Sequence, residues 1–282
     1  MDTHPLCIDC IEKAAGRTLS NISSNDEDIS QAMIKVNNYM DKVNISLTPL
    51  EISFGINEII REETGIYDSF KLIKEESNNN ALKLISRAEA LIEQSMEPLF
   101  DAVRIAIAGN IIDYGIKIEY NLSKTLDEVM GKKPFINDYQ LLKRKLSEAK
   151  TINFIADNAG EIVFDRLLIE QINRMFKIDK INLLVKKYPF MNDVILEDLE
   201  GLGFADISNV EIIAIENLTT KDYFREMEPY IEQADVIIAK GQGNFELLYD
   251  RKKGVFFLFI VKCAVVKDIL QSEEEDVIIA YQ

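Results

Sequence analysis

From residue 150 onward, short runs rich in Ile, Val, Leu and Phe alternate with segments whose apolar residues recur at helical spacing. The runs cover residues 152–156, 181–185, 210–215, 236–239, 255–261 and 277–280. Between the first two, Ile162, Phe164, Leu167, Leu168 and Ile172 mark one face of a helix. Alternation of this kind puts a helix between successive strands, which requires a mostly parallel sheet covered on both faces. The pattern therefore predicts an α/β fold with a mostly parallel, doubly wound (Rossmann-like) sheet in residues 150–282.

Residues 1–149 follow a different period. Ile29, Met33, Val36, Met40 and Val43 form one stripe of an amphipathic helix. Thr48-Pro49-Leu50-Glu51 has the form of a capping box with proline at the first helical position, and Ile52, Ile56, Ile59 and Ile60 continue a helical face. Further helices are expected over 67–76, 80–94, 97–107, 122–129 and 139–149, with Asn78-Asn79-Asn80 read as a loop. This half is expected to form a helical bundle or cap that shares an interface with the sheet, since no linker separates them.

Charge and cysteine usage exclude several classes. Lys and Arg total 32 against 48 Asp and Glu, a net charge of −16 that disfavours nucleic acid and anionic membranes as partners. The longest apolar run ends at Lys262 and is too short to span a bilayer, and the first residues lack a signal-peptide pattern. Three cysteines do not make a disulfide framework, so a cytoplasmic location is expected.

The polar groups that carry chemistry follow the expected strands. The first run ends in Asp157-Asn158-Ala159-Gly160-Glu161, which opens directly onto the helical segment. Ligands bind at the carboxyl ends of strands in such sheets, and Asp157 and Asn158 are hard oxygen donors suited to Mg²⁺ or Mn²⁺. Asp193 lies 36 positions after Asp157, about one strand-helix-strand unit later. It would reach the same edge, although Asn192 or Asp193 also suits a helix N-cap. After the fourth run comes Lys240-Gly241-Gln242-Gly243-Asn244, where Lys240 could meet a phosphate beside glycine-rich backbone. Asn110 and Asp113 are three apart and could face the cleft, or could simply bond helix to loop. Asp165 and Arg166 read as a surface pair, and Cys7, Cys10 and Cys263 as small packing groups.

Taken in order, Cys7-Ile8-Asp9-Cys10, Ala108 to Gly115, Asp157 to Arg166, Asn192-Asp193, Lys240 to Glu246 and Phe257 to Cys263 resemble the damage-control phosphatase family, whose members share an ARMT1-like domain. The blocks run through nearly the whole chain and are most similar to the compact archaeal and bacterial branch. The resemblance implies a divalent cation (Mn, Co, Ni or Mg) held by Asp157, Asn158 and Asp193. It also implies hydrolysis of phosphate monoesters of small metabolites, such as sugar phosphates or phosphopantetheine-type compounds. Two segments depart from the family pattern: Lys186-Lys187-Tyr188-Pro189, where relatives have an Arg-Gly-type stretch, and 216–220, which lacks a glycine.

In such an enzyme Lys240, Gly241, Gly243 and Asn244 would hold phosphate oxygens, with Asn110 and Asp113 nearby. The nucleophile would be water or the Asp157 carboxylate, and Glu161 would act as base or as a first-turn acid. A non-catalytic metal- or metabolite-binding protein is the alternative from another class. A methyltransferase ranks below both, because Gly160 stands without the glycine spacing that cradles such a cofactor.

Overall fold

The computed structural model describes residues 3–22, 26–44, 46–109, 122–216, 220–250 and 254–282. The first helices, α1 (Pro5–Ile22), α2 (Asp26–Met40) and α3 (Pro49–Thr64), bury Leu19, Val36, Ile52, Ile56 and Ile60 among themselves. The start of α3 is built as its sequence requires. Glu51 N donates to Thr48 Oγ1 at 3.2 Å while Thr48 N donates to Glu51 Oε2 at 2.7 Å, so two otherwise unpaired amides are satisfied.

Next come α4 (Lys71–Leu82), α5 (Ile85–Glu93), α6 (Pro98–Gly109), α7 (Leu122–Gly131), β1 (Ile136–Asn137) and α8 (Tyr139–Glu148). α4 runs through Asn78-Asn79-Asn80, correcting the expected loop. Asn is only about 0.7 kcal/mol worse than Ala inside a helix. That is a small penalty beside the two tertiary hydrogen bonds made by Asn78. β1 was not anticipated, since two residues show no period.

The α/β part follows: β2 (Thr151–Ile155), α9 (Glu161–Met175), β3 (Lys180–Lys186), β4 (Val210–Ile215), α10 (Thr220–Gln233), β5 (Val236–Lys240), α11 (Gly241–Leu248), β6 (Val255–Ile260), α12 (Ala264–Leu270) and β7 (Val277–Tyr281). All six strands expected from the sequence are present. The sheet order is β1-β7-β6-β5-β2-β3-β4. β2 to β6 are mutually parallel, and β7 runs antiparallel to β6.

Strand side chains alternate between two apolar layers. Phe154, Leu183, Ile238 and Leu258 face the side covered by α6 and α9, whereas Ile155, Leu184, Ala239 and Phe257 face α10 to α12. Burial on both faces explains why the strands read as continuous apolar runs. The layer beneath α6 and α9 draws on residues from both sides of position 150, from Ala81 to Ile279. Among the described residues no helix is long and apolar enough to cross a membrane.

The strand order also locates a crevice. From β2 the chain winds outward through β3 and β4, then returns to place β5 on the opposite side of β2. The loops leaving β2 and β5 therefore diverge, and their carboxyl ends flank the one point where the winding reverses.

Candidate active site

At that point β2 hands the chain to Asp157-Asn158-Ala159-Gly160, with Gly160 in the left-handed region (φ 79°), before α9 begins at Glu161. The segment after β3 folds back against this turn. Val194 N donates to Asp157 O at 2.9 Å and Ala159 N to Asn192 O at 3.0 Å, so Asn158 and Asp193 face each other in a short antiparallel bridge. The structure thus brings together the backbone of Asp157, Asn158 and Asp193. Asp193 begins no α-helix; the chain stays extended through Ile195 before a 3-10 turn over Leu196–Leu199.

The local electrostatics are set by crowded acids. Burial first, then the charges of Glu161 and Asp193, hold the Asp157 carboxyl well above the usual carboxylate range, while Lys262 and Lys186 pull it down. Its Oδ2 accepts from Asn158 Nδ2 at 2.6 Å, and the same amide lies 3.4 Å from Glu161 Oε2. Among the described residues no three His, Cys, Asp or Glu side chains form a cation site by themselves, so a donor set needs an oxygen of another kind, such as that of Asn158.

Glycine is obligatory at 241. Its φ is 78°, and a Cβ there would lie 1.8 Å from Asp157 Oδ2, inside any contact distance. Asn244 Nδ2 donates to Ala156 O at 3.1 Å and Lys240 O at 2.7 Å, which ties the ends of β2 and β5 together across the crevice. Gly243 and Asn244 line the cleft, and Gly243 has open space around it.

Lys240 departs from its expected contact with phosphate. It is 0% exposed and does not line the cleft. Its Nζ donates to Ala106 O at 2.9 Å, Glu161 Oε1 at 2.5 Å and Asp165 Oδ1 at 2.5 Å. The reason is strand alternation: Lys240 shares the side of Ile238, which faces α6 and α9. Burial opposes its charge, yet Asp165 and Glu161 raise its pKa. Asp165 is therefore a buried partner of Lys240, and Arg166 instead pairs with Glu170 at 2.8 Å, correcting the expected surface pair. Glu161 is a first-turn acid as well as a neighbour of Asn158.

A cation that does line the crevice is Lys186, the last residue of β3. Its Nζ pairs with Asp193 Oδ2 and stands over the rings of Phe190 and Tyr223 at 5.8 and 5.3 Å. Burial opposes its charge, but Asp193 raises its pKa above the ordinary lysine value. Lys186 opens one of the two segments that depart from the family pattern and are expected to border the substrate; β3 periodicity places it on the side of Leu184, opposite to Lys240. Lys262 also lines the cleft, and its N–H donates to Gln242 Oε1 at 2.8 Å.

The cleft holds about 420 Å³ between α1 and α3 on one side and the sheet edge on the other. Its wall toward the helices is largely apolar, with Ile11, Leu50, Ile56 and Ile60 among the lining residues. Cys7, Cys10 and Cys263 reach it as free thiols. Burial raises the pKa of Cys7 and Cys263, which keeps them protonated and poor as nucleophiles. Asn110 and Asp113 lie outside the described residues.

Comparison with known proteins identifies the family and the fold. The model of the damage-control phosphatase ARMT1-like domain matches residues 3–278. The chain belongs to that family. A protein of Archaeoglobus fulgidus named damage-control phosphatase is 30% identical over 288 residues, covering 95% of this chain and 96% of that protein. A damage-control phosphatase of Pyrococcus horikoshii is 35% identical over 169 residues, 58% of each chain. A crystal structure of a DUF89 family protein from Pyrococcus horikoshii superposes with a TM-score of 0.85 at 27% identity, covering 100% of this chain and 99% of that one.

Proposed function

We propose that this chain is a divalent-metal-dependent phosphatase acting on phosphate monoesters of small metabolites, such as sugar phosphates or phosphopantetheine-type compounds, in metabolite damage control. The observation that carries the reading is the meeting of Asp157, Asn158 and Asp193 at the reversal of strand order. The donor set fits a hard cation. All three side chains offer oxygen, and the charges of Glu161 and Asp193 raise the pKa of the buried Asp157 carboxyl, a repulsion that a cation would relieve. Asp157, Asn158 and Asp193 would hold the ion. Once bound, Mn²⁺, Co²⁺, Ni²⁺ or Mg²⁺ would neutralise phosphoryl charge and favour attack at phosphorus.

The chain's own residues supply the rest. A phosphate dianion entering a protein of charge −16 needs local cations, and Lys186 and Lys262 at the cleft provide them. The N–H groups of Gly241 to Gly243 in the first turn of α11 have no acceptor inside the helix and would donate to further phosphate oxygens. Asp157 is a poor candidate for nucleophile, because its Oδ2 is bonded to Asn158 and wedged against Gly241. Water is therefore the assigned nucleophile. Glu161, held by Lys240, orients Asn158 in this scheme and does not act as base. The net charge disfavours nucleic acid and membrane surfaces as partners, and the free thiols suit a reducing cytoplasm.

The test is release of inorganic phosphate from a panel of sugar phosphates and 4′-phosphopantetheine with each of the four cations. Wild type should turn over at least one substrate only when metal is added, and Asp193→Ala should abolish turnover while remaining folded. Equal turnover in chelator, or an active Asp193→Ala variant at saturating metal, would refute the proposal.

A further inference from the structure

Behind the crevice, α4 carries two side chains one turn apart that reach both segments of the site. Lys74 is fully buried, and its Nζ meets Asp198 Oδ2 at 2.7 Å and Asp68 Oδ2 at 2.8 Å. Asp198 Oδ2 also accepts from Ile195 N at 2.9 Å, two residues beyond Asp193. Four positions along the same helix face, Asn78 Nδ2 donates to Asp198 O at 2.9 Å. The other end of that amide, Asn78 Oδ1, accepts from Gly160 N at 2.6 Å. Asn78 is therefore one side chain bonded both to the segment that follows Asp193 and to the turn that presents Asp157 and Asn158.

The turn needs such a partner. Gly160 precedes the first residue of α9, so its N–H has no acceptor inside the helix. Its left-handed backbone, moreover, is a conformation the surroundings must hold. On the near side the two segments bond to each other through Val194 N and Ala159 N. On the far side Asn78 fixes their separation, and the Lys74 ion pairs anchor the helix that carries it.

We propose that Asn78 is a positioning residue that sets the spacing between the Asp157–Asn158 turn and Asp193, and so the affinity of the site for a divalent cation. This rests on the metal reading above. Metal–oxygen bonds are only about 2.0–2.6 Å long, so ligands borne on separate segments tolerate little relative movement. Outer partners of metal ligands are worth about 10–100-fold in metal affinity.

The experiment measures Mn²⁺ binding by titration calorimetry on the full chain, with amide hydrogen exchange at Gly160 and urea stability alongside. Wild type, Asn78→Ala, Asn78→Asp and Asn79→Ala are compared. Asn78→Ala should bind Mn²⁺ about 10–100-fold more weakly and exchange faster at Gly160, with stability high enough for the chain to stay folded. Asn78→Asp keeps the acceptor for Gly160 N–H and loses the donor to Asp198, so exchange should stay slow while affinity falls. It also keeps the test open if Asn78→Ala does not fold. Asn79, exposed on the same helix, should be neutral when replaced. Mn²⁺ affinity in both Asn78 variants within twofold of wild type overturns the proposal. Absence of Mn²⁺ binding to wild type would sink the metal reading instead. Gly160 exchange would then decide the clamp alone, faster exchange in Asn78→Ala supporting it and unchanged exchange refuting it.

Discussion

Replacing Lys240 by Met separates charge from volume at the centre of the molecule. The apolar stem is kept, and the ammonium that meets Ala106 O, Glu161 and Asp165 is lost. Both acids are fully buried, and Asp165 Oδ2 has no hydrogen-bond partner among the described residues. Removing one partner of a buried ion pair costs about 3–5 kcal/mol, and here two carboxylates are stranded at once. The loss should depend on pH. Burial raises the Asp165 pKa to about 7, against about 3.9 for an unfolded Asp. Lys240 pulls that pKa down in the intact protein, so the variant's carboxyl titrates higher still. Below pH 7 both native states hold the proton, and the variant's extra loss opens as pH rises above 7, where the intact protein can release it. The slope is at most about 1.4 kcal/mol per pH unit for one group. Urea unfolding of Lys240→Met should therefore show a loss of about 3–5 kcal/mol at pH 8 and a smaller one at pH 5. Asp165→Asn in the Met background should restore part of the loss at pH 8. Phosphate should protect the folded variant against heat as it protects wild type, because Lys240 does not line the cleft. A loss below about 1 kcal/mol at pH 8 would refute a buried triad of this strength, as would a loss that grows toward pH 5.

Gly241→Ala forces a methyl group into Asp157 and a left-handed backbone onto an L-residue. Turnover should drop at least about 100-fold while backbone strain costs about 1–2 kcal/mol, read from kinetics and urea unfolding of one preparation. Lys186→Ala removes the cation beside Asp193, so inorganic phosphate should raise its melting temperature less than it raises that of wild type; equal shifts would remove Lys186 from the phosphate site.

The sheet was legible because its strands are apolar on both faces and bounded by polar turns, which leaves one period and one class of fold. The turn at Asp157 was legible because Asp, Asn and Gly directly after an apolar run are the residues that turns favour. Lys240 was misplaced for a specific reason. A lysine at a strand end beside two glycines reads as a loop cation, and only the count from Ile238 reveals that it points into the α6–α9 layer. Lys186 was hidden in the same way, since the assignment of its side depends on where β3 ends. Asn78 carried a signal of the opposite meaning, a polar run suggesting a loop. Its partners, Gly160 and Asp198, are 82 and 120 positions away, and no local pattern predicts such pairings.

The position of β7 bears on the order in which the molecule can be completed during synthesis. β1, at Ile136–Asn137, pairs with β7 alone, and β7 starts 141 positions later at Val277. At about 5–20 residues per second, β1 waits roughly 7–28 s for the one strand that it pairs with among the described residues. Over the end of that interval β6 stands at a sheet edge, with its side chains Phe256, Leu258 and Ile260 destined for one apolar layer and its backbone unpaired toward β7. A nascent chain halted before Val277 would expose a hydrophobic edge strand, the form most prone to pair with another copy.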